Sequence, residues 1–210
     1  MDPVAGFADG RAARVPVLIG TNRDEFTLFV ALQYLKHGPY APGQYPQLLA
    51  ETFGADAAAV EAHYPLQRYG GAPLAYSAAV TDGVFACPSE RMADAMARTE
   101  SVYAYEFNDR DAPTPDPLRT LPFPVGASHS LELRYLFDVG GAPPLNPPQQ
   151  VLSDQMIDYW ADFVRTGEPG SGWPAFGPDK KRLSFQPGTS TVITDYEQSH
   201  QCAFWASVKG

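Results

Sequence analysis

A carboxylate and an imidazole in this chain could act together in acid–base chemistry. Glu25 follows the apolar run Val15–Gly20, and His129 lies on a long loop that follows Val102–Phe107. A carboxylate beside a histidine holds the ring in one tautomer, so that the other ring nitrogen can take a proton from a hydroxyl nucleophile. Glu25 and His129 are therefore candidates for such a pair, in which Glu25 would orient the ring and His129 would act as general base and acid.

Each of the two residues also has a simpler explanation. An acidic residue at the start of a helix is often only favourable to the helix dipole. A single histidine in a proline-rich loop is often an exposed or structural residue. Taken one at a time, each residue is better explained in that simpler way. Both residues do follow predicted strands, however, where the catalytic groups of open α/β sheets gather. Their order along the chain, acid before histidine, is that of α/β-hydrolases.

The rest of a hydrolytic site is absent from the sequence. No serine lies in a Gly-x-Ser-x-Gly motif, and no His-Gly-Gly run could build an oxyanion hole. Ser171 lies between two glycines, but Pro169 and Trp173 occupy the positions of the elbow glycines, so the segment is interpreted as a turn. No metal site is predicted, because three histidines have no partners at metal-ligand spacing: His37, His63 and His200.

Composition limits the possible partners. The 210 residues are 44% hydrophobic and 19% charged, which is typical of one globular domain. A net charge of −9 without a basic run argues against nucleic acid and anionic membrane surfaces. No apolar stretch approaches the roughly 18–20 residues of a membrane span. The first residues, 1–7, have neither the basic start nor the apolar core of a signal peptide.

The pattern of apolar residues predicts an α/β fold with few central strands and many helices. A break at Cys87-Pro88 is predicted between two helices, with Ser89 as the cap of the second. Residues 108–128 hold five prolines and predict a long surface loop. The free edges of so small a sheet would need cover from another part of the protein or another chain. The predicted strands are Val15–Gly20, Val102–Phe107, Arg182–Phe185 and Thr191–Thr194. The predicted helices are one from Asp24, Tyr45–Phe53, Ala57–His63, Pro73–Phe85, Ser89–Thr99, Leu131–Phe137, Pro148–Arg165 and Glu197–Val208.

Three blocks resemble the type-B carboxylesterase and cholinesterase family, which includes the bacterial p-nitrobenzyl esterases. Residues 15–25 are similar to the acid motif of that family, residues 126–137 to its histidine motif, and residues 152–174 to the block that follows. The resemblance extends from about residue 3 to residue 206, and the blocks agree in order and spacing. It implies that residues 1–210 are the C-terminal part of an α/β-hydrolase domain, without the part that carries the serine.

The resemblance implies that Glu25 is the acid that orients the imidazole and that His129 is the general base and acid. It also implies roles for residues near this pair. Leu28 and Phe29 are expected to line a substrate pocket, although an apolar helix face in the core explains them equally well. Phe26 stands where the family usually has glycine, which puts the size of the substrate in question. Glu132 corresponds to a structural acid near the site, and Asp82 matches a family position without a chemical role.

Cys87 and Cys202 are too far apart in sequence for a CxxC redox motif or a four-thiolate zinc site. Two reduced, buried thiols are one interpretation. The resemblance implies another, because the cholinesterase branch joins the cysteines at these two positions. We therefore predict a disulfide between Cys87 and Cys202, which would favour an extracytoplasmic location.

Together these features predict a carboxylic ester hydrolase with a Ser-His-Glu triad, of which this chain supplies Glu25 and His129. No cofactor is expected, the substrate would be a small-molecule ester, and the chain alone should be inactive. One alternative is a non-catalytic binding or adhesion module of the same superfamily. Another is one half of a split enzyme, which would pair with an N-terminal complementing chain or self-associate.

Overall fold

The computed structural model describes residues 6–7, 9 and 13–208. Four strands form one sheet in the order β1-β2-β3-β4, and many helices flank it. β1, β2 and β3 run parallel, and β4 pairs antiparallel with β3. The predicted fold class is confirmed. The strands are β1 Val17–Asn22, β2 Val102–Phe107, β3 Arg182–Phe185 and β4 Thr191–Ile193.

The pairing of β1 with β2 positions the candidate site. Val17 lies opposite Val102 and Asn22 lies opposite Phe107, so the two strands end side by side. Five of the six β2 residues are buried, as expected of a central parallel strand covered on both faces. The prediction for the first strand was shifted two residues towards the N-terminus. The polar residues Thr21 and Asn22 belong to β1 because the hydrogen-bond ladder with β2 extends over them.

The helices vary in length from a single turn to 20 residues. Short 3-10 turns at Pro42–Gln44, Gly54–Asp56 and Asp116–Thr120 and a π-helical segment at Thr81–Ala86 accompany them. The α-helices are α1 Thr27–His37, α2 Tyr45–Phe53, α3 Ala57–His63, α4 Leu66–Tyr69, α5 Ala72–Val80, α6 Cys87–Met96, α7 Leu133–Leu136, α8 Pro147–Thr166, α9 Tyr196–Ser199 and α10 Cys202–Ser207. None of the helices in the described ranges is long and apolar enough to cross a membrane.

The predicted break at Cys87-Pro88 is wrong. α5, the π-helical segment and α6 form one continuous helical run, and Cys87 itself has helical φ and ψ of −71° and −34°. Pro88 lies in the first turn of α6, where the fixed φ of proline suits a helix. Ser89 does not cap this helix, since Ala86 is the N-cap residue and no side-chain cap is made. The wider π turn replaces the expected interruption.

Two other predicted elements differ from the structure. The helix expected from Asp24 begins at Thr27, because residues 23–26 form the turn that carries the candidate acid. The final helix is divided into α9 and α10 at Gln201, whose left-handed φ of 55° cannot continue an α-helix.

The long helix α8 agrees with its prediction to within one residue at each end. Asn146 and Gln149 form a capping box, in which each side chain accepts a hydrogen bond from the backbone N–H of the other residue. Gly167 ends the helix in the left-handed conformation, with φ of 81°. The predicted apolar face packs against the main core next to the sheet: Leu152, Met156, Tyr159, Trp160 and Phe163.

The segment between β2 and the candidate histidine is not only a surface loop. Ala112, Leu118, Val125 and Ala127 are buried in the main core, so the prediction of a surface loop over residues 108–128 is wrong in that respect. These apolar side chains anchor a chain that has little regular structure of its own. The anchoring fixes the approach of the backbone to His129.

The predicted disulfide is confirmed. The Sγ atoms of Cys87 and Cys202 are 1.97 Å apart, and the Cα atoms are 5.3 Å apart. Both cysteines lie in a second core with Tyr45, Tyr64 and Trp205. The bridge joins the first residue of α6 to the first residue of α10 and holds the C-terminal segment against the helical layer.

Candidate active site

Glu25 and His129 lie in direct contact. The His129 Nδ1 is 2.7 Å from the Glu25 Oε2, and the backbone N–H of His129 donates to the backbone carbonyl of Glu25 at 3.2 Å. The residues are 104 positions apart, but each follows one of two neighbouring parallel strands. The carboxyl ends of such strands meet at one edge of a sheet, where ligands of α/β folds are bound.

The carboxylate of Glu25 is buried and held at both oxygens. Glu25 is only 7% exposed, and the backbone N–H of Asn22 donates to its Oε1 at 2.7 Å. Burial raises the pKa of Glu25, while the hydrogen bonds from Asn22 and His129 oppose that rise. With one oxygen fixed by the backbone, the other oxygen is left to orient the imidazole.

The imidazole of His129 is open on its other side. Its side chain is 43% exposed, and Nε2 forms no hydrogen bond with the described part of the chain. Because Nδ1 faces a carboxylate, Nδ1 carries the hydrogen and Nε2 has the free lone pair in the neutral ring. The ring lies against Phe29 and Phe85, with centroids 5.3 and 6.1 Å away. This arrangement suits a general base.

Asn22 joins the two halves of the pair and was not identified from the sequence. Its side-chain Nδ2 donates to the backbone carbonyl of Ser128 at 2.8 Å and also to the Glu132 carboxylate. Its backbone N–H binds Glu25, so one buried residue contacts both the acid and the histidine loop. The signal available in the sequence was a buried asparagine at the end of a strand, where an amide needs partners. The predicted neighbour Glu132 lies within this network, and its charge further raises the pKa of Glu25.

Asp24 forms a second connection between the acid turn and the histidine loop. Its Oδ2 accepts from the backbone N–H of Ala127 at 3.0 Å, and Arg110 donates to both of its oxygens. Gly126 has φ of +66°, and a Cβ on it would overlap the Asp24 carboxylate. The close approach therefore requires glycine at this position.

A cavity of about 640 Å³ lies beside the pair and is lined mainly by α1, α2 and the segment between them. Phe29, one of the two predicted substrate-pocket residues, lines this cavity and faces His129. Leu28, the other, packs against the main core and is absent from the lining. Phe26 also lines the cavity, so the residue that departs from the family pattern lies at the site.

A second histidine, His200, is buried, and its place in a polar network was not recognised from the sequence. The ring nitrogens of His200 lie 2.6 Å from Asp82 Oδ1 and 2.7 Å from Glu106 Oε1. Burial alone would lower the pKa of His200, but the hydrogen bonds and charges of the two carboxylates raise it to about 9. Arg23, next to Asp24, pairs with Glu106 at 3.2 Å and so connects this network to the acid turn.

Three carboxylates lie close enough together to be considered as metal ligands: Glu90, Asp94 and Glu197. The ammonium group of Lys180 lies among them, 3.0 Å from Asp94 Oδ2 and 2.6 Å from Glu197 Oε1. Lys180 and the Arg182 guanidinium that pairs with Glu90 therefore already neutralise much of the charge of this cluster.

The nucleophile is not found beside His129. Ser128 and Ser130 flank His129 in the chain. Ser128 is fully buried, and its Oγ has no hydrogen-bond partner among the described residues. Ser171 is exposed in a turn, as predicted from its flanking residues. Over residues 13–208, no serine hydroxyl is hydrogen-bonded to the imidazole of His129.

A largely parallel sheet with an acid and a histidine at its carboxyl edge, in that order along the chain, defines part of an α/β-hydrolase fold. The model of the carboxylesterase family matches residues 1–205, and the chain therefore belongs to that family. The predicted family resemblance is confirmed.

Several characterised relatives are similar over part of their length. The chain is 31% identical over 135 residues to cocaine esterase of Oryctolagus cuniculus, covering 60% of this chain and 24% of that protein. It is 29% identical over 136 residues to acetylcholinesterase of Gallus gallus, covering 60% of this chain and 17% of that protein. It is 34% identical over 112 residues to carboxylesterase 4A of Bos taurus, covering 50% of this chain and 19% of that protein. The matched region thus spans no more than 24% of any of these relatives.

Proposed function

We propose that this chain is the acid–base part of a serine carboxylic ester hydrolase. The observation that carries the proposal is the contact of 2.7 Å between Glu25 and His129 Nδ1, which leaves Nε2 open. The family membership and the names of the relatives support an ester as substrate. We expect a small-molecule ester, as the names of these relatives indicate.

The proposed reaction uses a serine from a part of the enzyme outside the described residues. His129 Nε2 takes the proton of the serine hydroxyl while the serine oxygen attacks the ester carbonyl. His129 then gives this proton to the departing alcohol. Water releases the acyl group by the same steps, with His129 again as base. Glu25 holds the ring in position and stabilises the imidazolium that forms in each half-reaction.

We expect this chain alone to have no ester hydrolase activity. The nucleophile and the oxyanion hole contribute most of the rate enhancement in this class of reaction, and a base without them has nothing to activate. We infer that residues 1–210 are the C-terminal part of the hydrolase domain and that an N-terminal segment, on the same or another chain, completes it. Among the described residues, β1 has no strand on its outer edge, which is a position where further strands could be added.

Labelling with a fluorophosphonate tests the proposal directly. Natively purified protein containing this chain would be labelled and its intact mass measured. Label on a longer polypeptide that includes these residues, or on a co-purifying chain, is the expected result. Label on the 22.8 kDa chain itself would mean that it carries its own nucleophile. Folded, complete protein without label would exclude a serine hydrolase and favour the binding module.

Substitution of Glu25 tests the role of the pair. In the complete enzyme, Glu25→Gln keeps the shape of the side chain but cannot stabilise an imidazolium, and we expect turnover to fall by about 10³–10⁴-fold. His129→Ala should have at least as large an effect. The measurement is kcat for a chromogenic acetate ester, with circular dichroism to show that the fold is retained. Unchanged turnover in either variant would contradict the assignment.

A further inference from the structure

We propose that Phe26 is a specificity-determining residue: its ring, stacked on Phe29, closes the cavity of about 640 Å³ off from His129, so that the complete enzyme favours esters of short, compact groups. This inference rests on the proposed ester hydrolysis and adds the substrate class. The two rings are called the aromatic wall below.

The cavity is large and mostly apolar near the wall. Besides the two rings of the aromatic wall, Val30, Tyr40, Leu48 and Tyr76 contribute to its lining. A volume of this size would accept an alkyl chain or a second ring. Such a space beside a catalytic base would be expected to bind a long substrate group, if it were continuous with the site.

The aromatic wall lies between this cavity and the candidate catalytic pair. On the cavity side, Phe26 packs edge-to-face on Tyr76 at 5.5 Å, and both rings line the space. On the other side, Phe85 lies 6.5 Å from Phe26, and His129 lies 5.3 Å from Phe29. Neither Phe85 nor His129 lines the cavity. Phe29 therefore contacts both the imidazole and the cavity, and Phe26 is stacked on Phe29 where both rings line the cavity.

Phe26 is held in this position by its neighbours. Its ring stacks on Phe29 at 5.1 Å with an interplanar angle of 28°, and its backbone N–H donates to Thr81 Oγ1 at 2.9 Å. It also follows Glu25 directly, so its backbone cannot move without disturbing the acid. A substrate group that extends towards the cavity would have to displace a ring with partners on several sides.

The test is the dependence of kcat/KM on chain length in the complete enzyme. One series is p-nitrophenyl esters from acetate to dodecanoate, and the other is acetates of alcohols from ethanol to octanol. We expect the wild-type enzyme to prefer the short members. For Phe26→Ala, the ratio of long to short esters should rise by about tenfold or more in at least one series, because several methylene groups gain a binding space. The responding series tells whether the acyl or the alcohol group faces the aromatic wall.

Leu48→Ala is the matched control. Leu48 lines the same cavity from α2, so its truncation enlarges the space and leaves the aromatic wall in place. The chain-length ratios should then stay within about twofold of wild type. If Phe26→Ala fails to fold, Phe26→Leu removes the ring while keeping an apolar side chain, and the same change in ratio is expected.

Two results would overturn the inference. One is a wild-type enzyme that already prefers long esters in both series, and the other is an unchanged ratio in the folded Phe26 variants. Hydrolysis of p-nitrophenyl acetate by the wild-type enzyme is measured as well, in order to distinguish these two results from a failure of the proposed function. If that activity is absent, the hydrolase assignment itself fails. If it is present and the ratios do not move, only the role of Phe26 is refuted.

Discussion

The amide of Asn22 is the least obvious part of the candidate site. It donates to the backbone of the histidine loop and to the Glu132 carboxylate, and the backbone N–H of the same residue holds Glu25. An amide is needed here because both partners of Nδ2 are acceptors. The geometry between acid and base thus depends on a residue that takes no part in proton transfer.

Replacement of Asn22 by aspartate should therefore impair catalysis. In Asn22→Asp, a carboxylate would face the Ser128 carbonyl and the Glu132 carboxylate, and the histidine loop would shift. We expect kcat of the complete enzyme to fall by about 10²-fold, since displacements near 1 Å in a catalytic group have effects of that size. The measurement is kcat and KM for an acetate ester.

Asn108→Asp is a suitable control for this substitution. Asn108 directly follows β2, and its Nδ2 donates to Ser184 Oγ at 3.3 Å. The substitution Asn108→Asp therefore adds a negative charge near the same sheet edge without changing a contact of Glu25 or His129. We expect its kcat to stay within about twofold of wild type. Equal losses in Asn108→Asp and Asn22→Asp would show a general charge effect and refute the positioning role of Asn22.

Gly126 allows the acid turn and the histidine loop to approach each other. We expect Gly126→Ala to lower the free energy of unfolding by about 1–3 kcal/mol, because the residue has a positive φ and the new Cβ would meet Asp24. Urea denaturation measures the change. Gly177→Ala is the control, since no atom lies within 4 Å of a Cβ built there. Similar stability losses at both glycines would contradict this explanation.

At the scale of elements, His200 joins three parts of the chain. It follows α9 and binds Asp82 in the π-helical segment and Glu106 in β2. Tyr64 donates to the other oxygen of Asp82 at 2.8 Å, and Trp205 Nε1 donates to the Tyr64 hydroxyl at 2.7 Å. The π turn is thus stabilised by a buried charged network that extends to the C-terminal helix.

This network predicts a loss of stability as the pH rises. The pKa of His200 is raised to about 9 in the folded state, above the ordinary value of 6.5. Its contribution is therefore fully present below about pH 6.5 and lost as the pH rises through about 9. The loss should be on the order of 3 kcal/mol. Urea unfolding between pH 6 and 9.5 would measure it.

Two histidine variants make that prediction specific. His200→Gln should be less stable than wild type near pH 6 and should flatten the slope between pH 6.5 and 9. His63→Gln, which changes a histidine stacked on Phe204 at 3.9 Å, should keep the wild-type slope. A slope that persists unchanged in His200→Gln would show that another group is responsible.

At the scale of the whole molecule, the disulfide joins segments that are far apart in sequence. Cys87 and Cys202 are 115 residues apart, so the bridge closes a loop that contains three of the four strands, β2, β3 and β4. In the chain-entropy model, closing so long a loop in the unfolded state stabilises the fold by about 4–5 kcal/mol. An extracytoplasmic location remains a prediction that follows from the bridge.

The double variant Cys87→Ala with Cys202→Ala should accordingly be less stable by a few kcal/mol. Urea unfolding of the variant and of wild type under oxidising conditions measures the difference. Reduced wild type provides the control, since it should resemble the double variant while its own cysteine side chains remain. If reduction and removal both changed the free energy of unfolding by less than about 1 kcal/mol, the stabilising role would be refuted.

The sequence alone predicted those features that depend on local pattern and on motif order. The strands and the long helix α8 follow from apolar periodicity, and the pair Glu25 and His129 followed from the family resemblance. The half-cystines followed from the family resemblance. The break at Cys87-Pro88 was predicted wrongly because a proline also fits the first turn of a helix, and no local signal distinguishes the two cases.

Only the tertiary structure decided which distant residues meet. Asn22 and Glu132 are 110 positions apart, and His200 and Asp82 are 118 apart. Their contacts exist because parallel strands align their carboxyl ends and because a disulfide and two cores fix the helices around them. Such pairings carry no local signature in the sequence, since a buried polar residue needs a partner but does not specify which one. The contact of the aromatic wall with Tyr76 likewise exists only because α1 and α5 pack side by side.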